Sequence, residues 1–527
     1  MASMASNFGG LIQGVAAAWL MLSLGGTAQQ VALVSASATL PIMVLSLLAG
    51  ALADNLDRKE VMLTAQAVML IVSAALALTA YWGHLTPVML LVFTFLIGCG
   101  TAINGPSWQA LVGDMVPRET LPQAVAMNSM GFNIARSAGP ALGGAIVAAL
   151  GAPAAFAINA VSYIPLLFVM GGWKRPVAKQ SLPRESIGAA MFAGVRYVAA
   201  SPRIIQVITR SALFGLAASG IPSLLPLIAK NLVGGGAMTF GILSGVFGVG
   251  AVLGAYGTAR LRDRYPAEPI IRAAMLLIGT GALAIAFSRS LPVTMLGLFL
   301  TGTGWVAALS TFNVSVQMAT PRWVVGRALS IYQMGTFGAM ALGSWMAGYI
   351  AQHYGIPEAL YLVAGIMGLG ILIGLIFPIP DEAALNLDPA GRWTTPDTAV
   401  PVQLRSGPII IAIHYRIGDE HVLDFLSHMK ERRRIRMRDG ARRWRLLRDL
   451  GDEQLWIERY QVPTWADYIR HNERRTQADI ANYAAIKAMH IGSWPPEIHR
   501  MLGREPDASA VDPNPPVEAM TDPARAT

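Results

Sequence analysis

Charge is what this chain has least of. Asp, Glu, Lys and Arg make up 13% of its 527 residues, about half the share of a soluble globular protein. With 54% hydrophobic residues, that shortage excludes an ordinary water-soluble protein for most of the length. The shortage is local: residues 1–378 carry few charges, in short clusters, whereas 400–505 are dense in Arg, Glu and Asp. Cysteine is nearly absent. The single Cys99 lies in an apolar run, so no disulfide forms within the chain and its polar part needs no oxidising compartment. The opening "MASMASNFGG" has no basic n-region, which argues against a cleavable signal. No GxxxxGK[ST] motif is present, which argues against ATP-driven work. No catalytic residue, metal or cofactor is expected.

What is present is a series of apolar windows of about 20 residues, the length that crosses a bilayer. They fall near 5–24, 29–52, 60–82, 87–112, 124–149, 153–172, 204–229, 239–259, 271–288, 292–316, 327–351 and 358–377. Backbone groups in lipid must be satisfied internally, so helices are the default. The connections divide by charge. One set carries 15 Lys and Arg: Arg58, Lys59, Arg118, Lys174, Arg175, Lys179, Arg184, Arg196, Arg203, Arg260, Arg262, Arg264, Arg272, Arg322 and Arg327. The other carries two, Lys230 and Arg289. The bias puts the first set, both termini and the polar C-terminal region in the cytoplasm. It also accounts for the net charge of +9 without a nucleic-acid partner.

The series repeats. Adding 204 to a position in the first half gives its counterpart in the second: Gly50 and Gly254, Arg58 and Arg262, Gly98 and Gly302, Pro117-Arg118 and Pro321-Arg322, Gly139 and Gly343, Gly144 and Gly348. The expected architecture is therefore an all-α polytopic membrane protein of 12 transmembrane helices in two six-helix repeats, followed by a small α+β cytoplasmic domain. Parallel repeats of this kind put a substrate site between the halves, with alternating access by rocking. The domain boundaries read 1–172 and 204–378 for the two bundles, 173–203 for the basic connection, 379–406 for a Pro- and Asp-rich linker, 407–502 for the α+β domain, and 503–527 for a disordered tail.

Between the second and third windows stands "GALADNLDRK" (50–59). Gly50 has no side chain and lets helices approach closely. Asp54 can face the positive N-terminus of a neighbouring helix. Arg58, beside Lys59, can pair with Asp54 or with exposed carbonyls. The alternative is a turn that sets topology alone. With "MVPRETLPQAVAMNS" and "NIARSAGPALGG", this stretch resembles the major facilitator superfamily, in its enterobactin-exporter-like branch of transmembrane secretion effectors, over nearly the whole chain. The resemblance implies that Gly50, Asp54, Arg58 and Lys59 latch the cytoplasmic side against the eleventh span, near Arg327. The second copy, "GAYGTARLRD", has Thr258 at the Asp position and reads as a degenerate latch. Relatives carry a basic-aromatic lead before the first span, so the start of this protein is expected upstream.

"NIARSAGPALGG" (133–144) lies within the fifth window. Pro140 removes a helix hydrogen bond, and Gly139, Gly143 and Gly144 permit bending and close packing. The segment is similar to the superfamily's antiporter signature, with Ala126 and Ala135 where Gly is usual, and this implies export over uptake. A generic small-residue packing face is the alternative. Arg136 is a charge deep in its helix, costly by at least ~2.5 kcal/mol. It serves to attract an anionic substrate, to switch conformation, or to pair structurally with carbonyls or Asn133. Asp and Glu are missing from the central third of every window, and Thr94 stands where many exporters carry Arg. Coupling to protons as the partner ion is implied by the family alone, with Asp54 and Asp114 as the candidates. The resemblance implies a cavity lined by spans one, four, seven and ten, where Gln13, Asn104, Trp108, Phe214, Trp305 and Asn313 stand; such residues also serve as helix-to-helix connections.

Beyond the linker the pattern reads strand, helix, two strands ("ARRWRLLRDL", "EQLWIERYQV"), helix over 464–488, and a last short strand. This order resembles the ferredoxin-like domain of the antibiotic-biosynthesis-monooxygenase type. His414, Trp456 and Trp465 are isolated, so self-association or docking of a cytoplasmic partner is expected rather than catalysis. Nine arginines in 431–449 read as a solvated face or as a contact for anionic lipid. The whole points to a secondary exporter of a small organic molecule, a siderophore or amphipathic drug-like compound, in the bacterial inner membrane. An uptake symporter of the same fold, or a membrane-anchored enzyme or sensor working through its C-terminal domain, are the alternatives.

Overall fold

A computed structural model describes residues 2–115, 121–173, 187–321, 323–379, 387, 390 and 394–503. The expected tail beyond 503 and part of the expected linker (380–386, 388–389 and 391–393) lie outside the described residues. The chain forms two compact units. One comprises 1–179, 206–316 and 329–381; the other comprises 180–205, 317–328 and 382–527.

The first unit is helical: α1 Ala2–Ser23, α2 Ala28–Asn55, α3 Arg58–Tyr81, α4 Pro87–Met115, α5 Leu121–Leu150 and α6 Ala152–Gly172 come from the first half. After the short α7 Ile187–Ala199, which belongs to the second unit, come α8 Pro202–Ala218, α9 Gly220–Leu227, α10 Ala237–Arg262, α11 Ala267–Phe287, α12 Leu291–Met318, α13 Val325–His353 and α14 Ile356–Ile376. Among the described residues, ten helical stretches are long and apolar enough to cross a membrane. Helix α13, at the eleventh expected window, is 29 residues long, carries polar residues such as Gln333 and is not among these ten. Helix α5, at the fifth, spans 30 residues and contributes the shorter apolar stretch Ile134–Leu150.

Local chemistry starts and stops these helices. Thr27 and Gln30 form a capping box at α2, where the Thr27 hydroxyl accepts from the Gln30 N–H and the Gln30 amide oxygen accepts from the Thr27 N–H, satisfying N–H groups that have no partner inside the helix. Asp57 caps α3 by accepting from the Lys59 N–H at 2.8 Å. The turns into α6 and α14 are alike: Gly151 (φ 80°) precedes Ala152-Pro153, and Gly355 (φ 120°) precedes Ile356-Pro357. The two glycines are 204 residues apart, in the register of the sequence repeat.

That register extends to packing. A Cβ on Gly98 would meet Pro41 and the Ala38 carbonyl of α2, and one on Gly302 would meet the Phe247 carbonyl of α10. A Cβ on Gly139 would press on Leu11 of α1, and one on Gly343 on the Leu216 carbonyl of α8. Each matched pair of glycines thus admits a matched neighbouring helix.

The second unit holds α7, the segment 317–328 and the polar C-terminal region. The stretch 173–203, expected as a basic connection, therefore includes a helix. Its C-terminal region runs β1 Ile409–Arg416, α15 Val422–Arg438, β2 Arg442–Arg448, β3 Leu455–Val462, α16 Trp465–Glu473, α17 Gln477–Met489 and β4 Glu497–Leu502. The helix expected over 464–488 is two helices, broken at 474–476. Thr476 there opens α17 with a capping box to Asp479. The four-stranded sheet has the order β2-β3-β1-β4, and every neighbouring pair is antiparallel. Alternation along β1 sends Ile409, Ile411, Ile413 and Tyr415 into a core with Phe425, Met429, Tyr460 and Trp465, the period-2 pattern of a sheet covered on one face.

The arginine run is only partly solvated. Arg432, Arg436 and Arg438 are buried, because the face of α15 that carries 432 and 436 turns toward Glu458 of β3, itself 0% exposed. Arg436 Nε donates to Glu458 Oε1 at 3.1 Å, Trp444 Nε1 donates to the same oxygen at 3.0 Å, and the Tyr415 hydroxyl donates to Oε2 at 2.9 Å. Burial alone would raise the Glu458 carboxyl; Arg436 and Arg432 outweigh it and hold the group below its usual range.

Candidate functional site

Around the charged turn, the structure brings Gly50 to the helix that begins near Arg327. A Cβ on Gly50 would lie 2.8 Å from Ser330 Oγ of α13. One turn earlier, Ser46 Oγ donates to the Ser330 carbonyl at 3.0 Å. The same two helices meet again farther along, where Gly338 faces Met43 and Gly348 faces Ala32 and the Gln29 backbone. Lys59 serves its own bundle. Its Nζ donates to the carbonyls of Gly171 (3.1 Å) and Trp173 (2.6 Å) at the end of α6, where a cation meets the negative helix terminus. Arg58 follows the Asp57 cap as the first residue of α3. The side chains of Asp54, Asp114 and Asn133 lie outside the described residues.

In α5, the glycines that flank Pro140 pack on two partners. Gly139 and Gly143 face Leu11 and Ile12 of α1 within the first half. Gly144 faces the second half: a Cβ there would lie 2.4 Å from Gly241 Cα of α10. Arg136, one turn before Pro140, is half-buried.

The residues expected to line a cavity are not equivalent. Gln13 is buried among α1, α3 and α6. Its amide oxygen accepts from Asn159 Nδ2 and, at 3.4 Å, from the Ser73 hydroxyl, and Asn159 also reaches Tyr163. Asn104 accepts from Gln66 Nε2 at 3.3 Å, and Trp108 Nε1 donates to Asn128 of α5 at 3.1 Å. Phe214 and Trp305 meet edge to face at 6.3 Å, with Phe247 and Phe312 joining them from α10 and α12. Asn313, the residue after Phe312 in α12, is half-buried.

Reading windows of hydropathy missed a buried ion pair. Arg210 of α8 and Glu268 of α11 are both nearly inaccessible, with Nη2–Oε1 at 3.1 Å and Nη1–Oε2 at 3.3 Å. Arg210 also donates to the carbonyls of Gly370 and Phe377, and Glu268 accepts from the Ile379 N–H at 3.0 Å. Gly374 leaves room for the pair, since a Cβ there would lie 2.1 Å from Glu268 Oε1. The window expected at 271–288 left Glu268 outside, whereas α11 begins at Ala267. One signal was available: Arg210 is a charge inside the apolar window expected at 204–229. In the structure both halves bind the carbonyl at the end of their last helix, Trp173 through Lys59 and its repeat counterpart Phe377 through Arg210.

A family profile described as "transmembrane secretion effector" matches residues 1–507. The chain is similar to the staphyloferrin A transporter of Staphylococcus aureus, 26% identical over 68% of this chain and 89% of that protein. It is similar to the multidrug efflux pump Tap of Mycolicibacterium fortuitum, 25% identical over 67% and 88%. It also resembles the enterobactin exporter EntS of Citrobacter koseri, 27% identical over 64% and 83%. Among solved structures, the nucleoside transporter NupG superimposes with a TM-score of 0.56 at 16% identity, over 71% of this chain and 99% of that one.

Proposed function

Because the chain belongs to the transmembrane secretion effector family of major facilitator transporters, and is thus a multi-pass inner-membrane transporter rather than an enzyme, we propose that it exports a small organic molecule by alternating access. In this reading α5 and α13 complete a set of twelve spans in two six-helix repeats, and both termini are cytoplasmic. The observation that carries it is the contact of Gly144 with Gly241. Two halves in register meet there backbone to backbone, next to Pro140, in a helix able to bend. The second crossing, Gly50 on Ser330, supports a latch at the charged turn in which Asp54 and Arg58 would take part, whereas Lys59, bound to the end of α6 in its own half, supports the turn rather than the latch. The names of the relatives support a siderophore or an amphipathic drug-like substrate. Proton coupling through Asp54 or Asp114 follows from the family.

The strand order β2-β3-β1-β4 supports a ferredoxin-like reading of the C-terminal region, whose partner is the chain's own connections. Arg474 stacks over Trp323 at 4.1 Å, Trp323 meets Tyr197 edge to face at 5.5 Å, and Arg438 lies 5.5 Å from the Tyr197 ring. Tyr197 of α7 and Trp323 of the segment 317–328 belong to the same compact unit as the domain, so the domain packs on two of the segments that connect the helices.

The test compares metabolites in the medium of cells with and without the protein, then measures uptake of the identified compound into everted vesicles. Energy-dependent accumulation in everted vesicles supports export. Accumulation only in intact cells would make the protein an importer.

A further inference from the structure

The open face of the sheet carries a constellation that transport does not use. Strands β1 and β4 pair so that His414 stands opposite Glu497 and Ala412 opposite His499. Residues directly opposed, and residues two apart on one strand, share a face. His414, Glu497 and His499 therefore project together from the side away from Ile411, Ile413 and Tyr415. Glu497 lies between the two rings. Its Oε2 is 3.6 Å from His414 Nδ1 and its Oε1 is 2.9 Å from His499 Nε2, with ring centroids 4.9 Å apart. All three ligand atoms fall within 4.8 Å of one another, and among the described residues no other group of three His, Cys, Asp or Glu does so.

Ligand bonds of about 2.0–2.2 Å to a tetrahedral ion separate the ligand atoms by about 3.4 Å; each imidazole already lies near that distance from one Glu497 oxygen, and with all three ligand atoms within 4.8 Å of one another a small rotation of the side chains closes the set on one ion. Strand pairing fixes all three Cα positions, so little order is lost on binding. Arg416, the nearest cation along β1, is engaged by Asp452 at 3.0 Å. The side chains remain partly exposed, at 26%, 68% and 47%, which leaves a coordination position open to water. We propose that His414, Glu497 and His499 bind one divalent transition-metal ion, of the class that takes imidazole with carboxylate, zinc foremost, rather than calcium or magnesium, which take oxygen ligands. Nothing in the sequence pointed there, because His414 and Glu497 are separated by two strands and three helices.

The test uses the full chain in detergent, purified without a polyhistidine tag and titrated with Co²⁺ alone. The expected result is one equivalent bound, with visible d–d absorption, displaced by Zn²⁺ and not by Mg²⁺. His414→Ala and His499→Ala should each weaken binding by at least about tenfold, and the double variant should abolish the bands. His421→Ala and His428→Ala should leave them unchanged. Near-UV circular dichroism of each variant checks that the fold is kept. Absence of saturable Co²⁺ binding to the wild-type chain, or bands that survive in the folded double variant, would overturn the assignment.

Discussion

Gly144 and Gly241 touch through their backbones: a methyl group on Gly144 would lie 2.4 Å from Gly241 Cα, and one on Gly241 would lie 2.7 Å from Gly144 Cα. Neither helix can yield by moving a flexible side chain, so this contact exists only while both positions are glycine.

Gly144→Leu or Gly241→Leu should therefore force α5 and α10 apart. We expect transport to fall at least tenfold, with normal membrane insertion and a shift in cysteine-labelling pattern toward the state in which the crossing is open. Wild-type transport by both variants would remove the crossing from the mechanism.

At the charged turn, Gly50→Leu meets Ser330 Oγ, and Asp54→Asn removes the charge of the proposed latch. Both should slow turnover while leaving expression intact. A latch that must open in each cycle is worth only a few kcal/mol, so a loss of about ten- to a hundredfold is expected. Turnover of Asp54→Asn equal to wild type would reduce the turn to a topology signal.

Arg210 and Glu268 are buried and bidentate. Arg272 Nε also lies 3.7 Å from Glu268 Oε1, so removing Glu268 strands the buried Arg210, at a cost of about 3–5 kcal/mol, whereas removing Arg210 leaves Glu268 one partner and costs less. Arg210→Ala and Glu268→Ala should thus lower the thermal unfolding midpoint of the purified protein, whereas Arg210→Met combined with Glu268→Met should recover most of it. Additive losses in the double variant would contradict the pairing.

His471 is fully enclosed in the C-terminal domain. Burial, then Arg436 and Arg475, drive its pKa well below the usual imidazole value. The unfolded chain takes up this proton near pH 6.5 and the folded domain does not. The contribution is therefore fully present above about pH 6.5 and is lost as pH falls below it, toward the folded pKa. Unfolding of the domain, followed by tryptophan fluorescence between pH 7.5 and 5, should show stability falling with pH. His471→Gln should flatten that part of the profile, and an unchanged slope would point to another group.

Hydropathy made the helical series legible because burial in lipid imposes a composition on every 20-residue window, which a local reading detects. The offset of 204 was legible for a related reason. Gly98 and Gly302, or Gly151 and Gly355, answer the same steric demand in each half, so the repeat is written in residue type. Capping by Asp57 and the alternation of Ile409, Ile411 and Ile413 are likewise local. The polar core of the C-terminal domain was not legible. Arg432 and Arg436 look like a solvated basic run until Glu458, on another strand, is brought beneath them.

From the sequence alone came the membrane class, the two-half register, the glycine-rich fifth helix and the charged turn, since each is a short-range pattern set by solvent, lipid or steric need. Only the tertiary structure decided which partners those residues meet: Gly144 with Gly241, Gly50 with Ser330, Arg210 with Glu268, His414 with Glu497. Such pairings join segments from about sixty to nearly three hundred residues apart. They arise when whole elements pack, and no local spacing records them.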